Sequence, residues 1–354
     1  MLETMGEIRN RSLAASDADA PRIALVSYDS LGDGLIYLMM AENLRLNGFD
    51  VTYYGTCIFN LAEWFPQLSI RPYPETGRME SELKDFDLVL CSPPSFIRHK
   101  STEAEMRRLA EQYVIICVSR NFSGSWRVDH TRRIENELPP GKSLRLQRLA
   151  SCSGSIRHRK ASGQTVVQAT LSFMQKDMGL ERVTPDVELH PPAGLVHRRY
   201  RDRVVLCPDS TNPERKDLPP SRILHLAARL KSRGLDPKIV AAPANIAQWQ
   251  ELSANVCESP ALRTIDALAA YLYESGAVVA SDSGSGHLAS FLRVPTVTIH
   301  RRMNRRFAWR PGWGPGVVVC PLITLPAPKT HIWRPCVPTV KIVEAVEAFC
   351  SPAD

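Results

Sequence analysis

The sequence contains no apolar run long enough to cross a bilayer. Its longest, such as GAVVA (residues 276–280) and YVIICV (residues 113–118), fall far short of the roughly 20 residues a spanning helix needs. Residues 1–20 carry no apolar centre of the kind a secretory signal requires and read as a disordered polar tail, so a cytoplasmic chain is expected. C-x-x-C is also missing. The chain has nine cysteines, and its closest pair, Cys336 and Cys350, lies 14 positions apart, which argues against a zinc or disulfide framework and for reduced, mostly structural thiols. No long Lys/Arg block, zinc-finger spacing or RNP-like aromatic pattern accompanies the net charge of +7, so nucleic acid is not an expected partner; an anionic small substrate or a polyanionic surface suits that charge equally well.

Two catalytic signatures are absent as well. There is no G-x-x-x-x-G-K-[ST], and neither Ser283 nor Ser285 has the flanking glycines of G-x-S-x-G, which removes a P-loop and a nucleophile elbow. In SLGDGLIY, Gly32 and Gly34 are followed by Tyr37 where a dinucleotide fingerprint wants glycine, so a Rossmann oxidoreductase is disfavoured.

What is present is a chain of 354 residues, 44% hydrophobic, long enough for two domains, with strand and helix patterns in alternation. RIALVSY reads as a buried strand, GLIYLMMAENLRLNG as an amphipathic helix closed by Gly48, and DVTYYG as a second strand, together one βαβ unit. Strands follow at Phe86–Ser92 and Tyr113–Ser119, then a helix over Thr165–Gly179. A proline- and charge-rich stretch separates this half from a second series: strand RVVLCPD, helix SRILHLAARLKSRG, strand PKIVAAP, helix TIDALAAYLYESG, strand AVVAS. The reading is an α/β chain with an N-terminal domain over 21–185, a linker over 186–200, a C-terminal domain over 201–338 and a closing helix over 339–350, which the sequence assigns to neither half.

Two loops carry candidate chemistry. Asp282–Gly286 follows a buried strand and precedes the helical pattern HLASFLRV, the position at which parallel sheets gather ligands. Free amides at that helix start attract phosphate, and Gly284 and Gly286 would let the backbone approach it; the alternative is a plain Gly-Ser turn capped by Asp282. Asp33 stands at the first strand-to-helix junction, where a carboxylate can act as general base or simply as a helix N-cap.

Taken together, these segments resemble glycosyltransferase family 9, the ADP-heptose:lipopolysaccharide heptosyltransferases and their relatives. SLGD (Ser30–Asp33) is similar to the family's S-x-G-D loop, and PDSTNPERKDLP (Pro208–Pro219) to its Ser/Thr-rich segment ending in Lys-x-x-Pro. SDSGSGHLASFLRVPTV (Ser281–Val297) is similar to D-T-G-x-x-H-L-A-x-x-L-x-x-P and is the most specific of the three. The resemblance implies a GT-B fold, two facing Rossmann-like domains with a cleft between them, and inverting transfer of a sugar from a nucleotide-diphosphate donor with no metal and no cofactor. It implies that Asp33 deprotonates the acceptor hydroxyl and that Ser210, Thr211 and Lys216 hold the diphosphate. Ser283, Gly284 and His287 would line the same pocket, with Asp282 fixing the loop. The donor would be ADP-heptose and the acceptor an anionic glycan such as lipopolysaccharide core, met at the inner face of the cytoplasmic membrane. Another nucleotide-sugar, epimerisation of a sugar nucleotide, or binding without turnover stay open as alternatives.

Departures from the pattern fall at Ser283, which keeps the hydroxyl of the usual threonine, and after VPTVTI. There a Phe-Gly-Pro loop gives way to HRRMNRRFAWRPGWGPG, in which Arg301, Arg302, Arg305, Arg306 and Arg310 crowd ten positions. The first four are candidates for binding an anionic donor or acceptor group; a solvated surface is the other reading, as it is for RHRK at Arg157–Lys160.

Overall fold

The computed structural model describes residues 20–28, 30–75, 77–93, 102–118, 122–156, 164–302, 312–323 and 332–351; the polar tail, RHRK, Arg305, Arg306 and Arg310 lie outside them. Strands β1 (Arg22–Val26), β2 (Asp50–Tyr54), β3 (Ser69–Arg71), β4 (Leu88–Cys91), β5 (Val114–Cys117) and β6 (Gly154–Ser155) form one sheet in the order β3-β2-β1-β4-β5-β6. Strands β7 (Tyr200–Cys207), β8 (Asp236–Ile239), β9 (Ser275–Ser281), β10 (Thr296–Ile299) and β11 (Gly316–Val319) form the other in the order β11-β10-β9-β7-β8. All pairings are parallel. β4, β5 and β9 are buried along their whole length, as expected of strands covered on both faces. The result is two Rossmann-like α/β halves.

The strand orders fix where ligands can gather. Chain direction away from the first strand reverses between β1 and β4 in one sheet and between β7 and β9 in the other, and crevices form beyond the carboxyl ends of strands at such switch points. The loops leaving β1, β7 and β9 are those that carry Asp33, Ser210–Lys216 and Asp282–Gly286.

Helices α1 (Leu31–Leu46), α2 (Val166–Lys176), α3 (Pro220–Lys231), α4 (Ile265–Tyr273), α5 (Gly284–Phe291) and α6 (Thr339–Cys350) cover the sheets. α2 starts on a capping box between Thr165 and Gln168, and Gly179, at φ +72°, closes its end as the sequence predicts. α6 packs on the second sheet, its Ile342, Val343 and Val346 joining the core that holds Val204, Ala277 and Val297.

α1 departs from expectation. It begins three residues before the predicted start and is buried on every side from Gly34 to Leu44, so it is not amphipathic. One side lies on the first sheet and the other packs against α5 of the second half, two apolar partners that leave no solvent face. Even its polar residues are enclosed. Glu42 meets Arg45 at 2.8 Å, and the Asn43 amide accepts from Thr184 N at 2.7 Å and donates to Thr184 O at 2.8 Å.

The same apolar cluster runs through both halves, from Ile23 and Leu35 to Leu288, Phe291 and Trp313. Phe65 meets Phe291 edge-on at 5.9 Å, Trp64 meets Tyr273 at 5.4 Å, and Trp64 Nε1 donates to Asp266 Oδ1 at 3.1 Å. Arg293 pairs with Asp186 at the rim.

Candidate active site

The cleft between the halves encloses ≈ 480 Å³ and is lined by Ser30, Leu31, Gly32, Asp33 and Cys57 from one side. Asp209, Ser210, Thr211, Lys216, Ala242, Asp282, Ser283, Gly284, Ser285 and His287 line it from the other. Asp33 and all seven predicted donor-binding residues therefore converge on one space, although they come from segments about 250 positions apart.

Asp33 occupies the first turn of α1, and Ser30 rather than Asp33 is the N-cap, with extended backbone at φ −137° and ψ 144°. The Ser30 hydroxyl donates to Asp33 Oδ2 at 2.7 Å. Asp33 is therefore not itself the N-cap; its carboxylate accepts from the cap residue's hydroxyl and lines the cleft.

Opposite stands Lys216, the last residue of a one-turn helix, Pro213–Lys216. Its Nζ lies 3.0 Å from Asp282 Oδ2 and donates to the Asp282 carbonyl at 3.1 Å. Asp282 thus ties the β9 loop to the β7 loop. Ser210 is fixed by a bond from its backbone N–H to Asp217 Oδ2 at 3.0 Å, and its Oγ accepts from Asn212 N at 3.3 Å. Burial pushes the Asp217 carboxyl up, against the lowering effect of its bonds from Ser210.

Ser283 is the N-cap of α5 and its Oγ lies 2.9 Å from Ser285 Oγ. The glycines of this loop also serve packing. A Cβ on Gly284 would come within 3.0 Å of Leu31 Cβ, and one on Gly286 within 3.2 Å of Ala280 Cβ and 3.3 Å of Thr298 Cγ2. Their missing side chains admit protein at the contact between halves and at the helix-to-sheet contact, and Gly284 also lines the cleft.

His287 lines the cleft from beneath, 2% exposed, with its ring against Gly32 and edge-on to Trp313 at 6.3 Å. Burial is the main cause that lowers its pKa to about 4; Asp282 opposes, while His300 and Lys216 add to the shift. A neutral imidazole results, able to exchange a hydrogen bond but bringing no charge to the cleft. Since the unfolded chain gains a proton near pH 6.5, the stability from burying neutral His287 is full above pH 6.5 and is lost as pH falls to about 4. The loss amounts to about 3 kcal/mol. Urea unfolding of His287→Phe at pH 7, 5.5 and 4.5 should show a flatter pH dependence than the wild type; parallel profiles would place the acid sensitivity elsewhere.

Sequence reasoning missed Asp209, Ser285, Ala242 and Cys57. Asp209 ends the predicted strand RVVLCPD, two positions past the end of β7, and was findable by the strand-end rule; its carboxylate accepts from Ala242 N at 2.7 Å and Trp249 Nε1 at 3.3 Å. Cys57 has no local signal, reaching the cleft only because β2 is the neighbour of β1. Arg301 and Arg302 follow β10 and are not among the residues lining the cleft. A smaller cavity of ≈ 210 Å³ adjoins it, sharing Asp209, Ala242 and Ser285 and walled by Val240, Ala241, Pro243, Leu262, Ile265 and Leu268. Among the described residues no group of three or more His, Cys, Asp or Glu side chains is placed to hold a metal ion, and no helix is long and apolar enough to cross a membrane. No disulfide joins any of the nine cysteines.

Two parallel α/β halves meeting at a cleft that both switch points open onto define a GT-B fold. Residues 141–335 match the model of glycosyltransferase family 9 (heptosyltransferase), and the chain belongs to that family. Its fold is similar to that of the Escherichia coli ADP-heptose LPS heptosyltransferase II, with a TM-score of 0.63 and 14% identity over 93% of this chain and 98% of the other. E. coli heptosyltransferase WaaC, solved with ADP, aligns with a TM-score of 0.58 and 16% identity over 93% and 99%. The family 9 glycosyltransferase of Veillonella parvula aligns with 0.55 and 14% over 95% and 99%. No curated protein sequence matches the chain.

Proposed function

We propose that the protein is an inverting, metal-independent glycosyltransferase that moves heptose from ADP-heptose to a hydroxyl of a glycan acceptor such as lipopolysaccharide core. The observation that carries this reading is the convergence, in one cleft, of Asp33 on one wall with Lys216 and the start of α5 on the other. Inversion demands in-line attack at the anomeric carbon from the side opposite the leaving diphosphate, so base and phosphate clamp belong on facing walls. In this reading Asp33 takes the acceptor proton. Lys216, the hydroxyls of Ser210, Thr211 and Ser283, and the amides opening α5 meet the charge that develops on the diphosphate. The adjoining apolar cavity takes the nucleobase. E. coli WaaC was solved with ADP and with an ADP-fluoroheptose, which supports the choice of donor. Arg301 and Arg302 follow β10 at its carboxyl end, and with Arg305 and Arg306 of the same sequence cluster they are assigned to an anionic acceptor, met at the inner face of the cytoplasmic membrane.

The test is release of ADP from ADP-heptose, dependent on a lipopolysaccharide-core acceptor, in excess EDTA. Turnover should persist. Activity abolished by chelation and restored by magnesium would overturn the lysine-and-amide clamp, and turnover with UDP- or GDP-sugars alone would overturn the donor.

A further inference from the structure

We infer that Arg334, which is not among the residues lining the cleft, is a positioning residue for Lys216. The inference rests on the reading of Lys216 as the partner of the donor diphosphate.

Lys216 is carried by a single helical turn, too short to hold its shape on intrinsic propensity. Residues Thr211 to Arg215 are exposed, so packing does little to hold it. Polar contacts do. Arg215 N and Lys216 N bond to Asn212 O at 3.1 and 3.0 Å, and the Asp217 carboxylate closes the segment on Ser210 N. From behind, Arg334 Nη2 donates to both Pro213 O and Glu214 O at 2.9 Å. A cation on the carbonyls of a helical turn is favourably placed against its negative end.

Arg334 can serve as a fixed post because its own segment is pinned. Trp333 is buried in the second core at 5% exposure, Cys336 O accepts from Leu322 N at 3.0 Å, and Val337 O accepts from Arg222 Nη2 at 2.6 Å. Arg334 lines a neighbouring cavity with Pro213, Glu214 and Asp217, which meets the cleft at Asp209, and it does not line the cleft itself. It therefore holds the turn by its backbone at Pro213 and Glu214, while Asp282 holds Lys216 Nζ at the cleft. A displacement of about 1 Å at such a group is enough to lower its effect markedly.

A double-mutant cycle tests this on the full chain, with ADP and adenosine as the titrated ligands. Arg334→Met keeps the aliphatic stem and removes the donors. It should weaken ADP binding roughly five- to twentyfold, the range for displacing one charge-assisted contact, and leave adenosine binding unchanged. In a Lys216→Ala background the same substitution should change ADP affinity less than about twofold, because coupled groups do not add. Equal losses in both backgrounds, or an equal loss for adenosine, would make Arg334 a general staple and overturn the inference. Unchanged ADP affinity in Lys216→Ala alone would remove the clamp reading itself, an outcome seen without reference to Arg334. Should Arg334→Met unfold, Arg334→Gln retains one N–H donor and is expected to lose ADP affinity to an intermediate degree; wild-type affinity in that folded variant would also overturn the proposal.

Discussion

Asp33→Asn is expected to fold, to bind nucleotide as the wild type does, and to lose turnover by roughly 10² to 10⁴, the range for removal of a general base. Asn keeps an oxygen for the Ser30 hydroxyl, which now sits 2.7 Å from the carboxylate, so the local geometry of the helix start is preserved. What goes is a negative charge in the first turn of α1, worth about 1 kcal/mol or less at a helix N-terminus, and the ability to take a proton. Single-turnover rates beside thermal unfolding and ADP titration separate these. A variant with normal turnover would send the search for a base to other residues of the first half.

Lys216→Ala should weaken ADP binding by roughly 10- to 100-fold and raise the donor KM in parallel, because a buried diphosphate loses its charge-assisted partner. The loss is enlarged by what remains. Asp282, now 3.0 Å from the ammonium, would face the incoming diphosphate unneutralised. Lys216→Ala combined with Asp282→Asn should therefore bind ADP more tightly than Lys216→Ala alone. Arg215 does not line the cleft and offers no replacement. Affinity and KM equal to the wild type would mark Lys216 as a surface charge whose pairing with Asp282 is only structural.

The parts of this molecule visible in its sequence are those governed by local rules. Buried strands announce themselves as unbroken apolar runs, and loops at their carboxyl ends carry Asp33, Ser210–Lys216 and Asp282–His287, so the contents of the cleft could be listed without knowing its shape. β3 and β6, three and two residues long, are too short to leave a pattern. α1 was misjudged for a different reason: periodicity reports whether a helix has a wet face, and the partner that dries the second face of α1 is encoded some 250 residues later. A separation of 121 residues hides Arg334, whose role depends on carbonyls, groups every residue has. At the glycines of the α5 loop the sequence shows that a side chain is missing but not that Leu31, Ala280 and Thr298 lie against the gap.

Because α1 is completed by residues of the second half, synthesis from the N-terminus creates a problem of timing. When β1 to β6 have emerged, the faces of Leu31, Trp64 and Phe65 that will meet Gly284, Tyr273 and Phe291 are still waiting for segments the ribosome has not made. The nascent first half must either keep this apolar surface shielded by a chaperone or delay its final packing until α5 appears. Heating the finished protein should correspondingly produce one calorimetric transition, with the two sheets losing structure together rather than in turn.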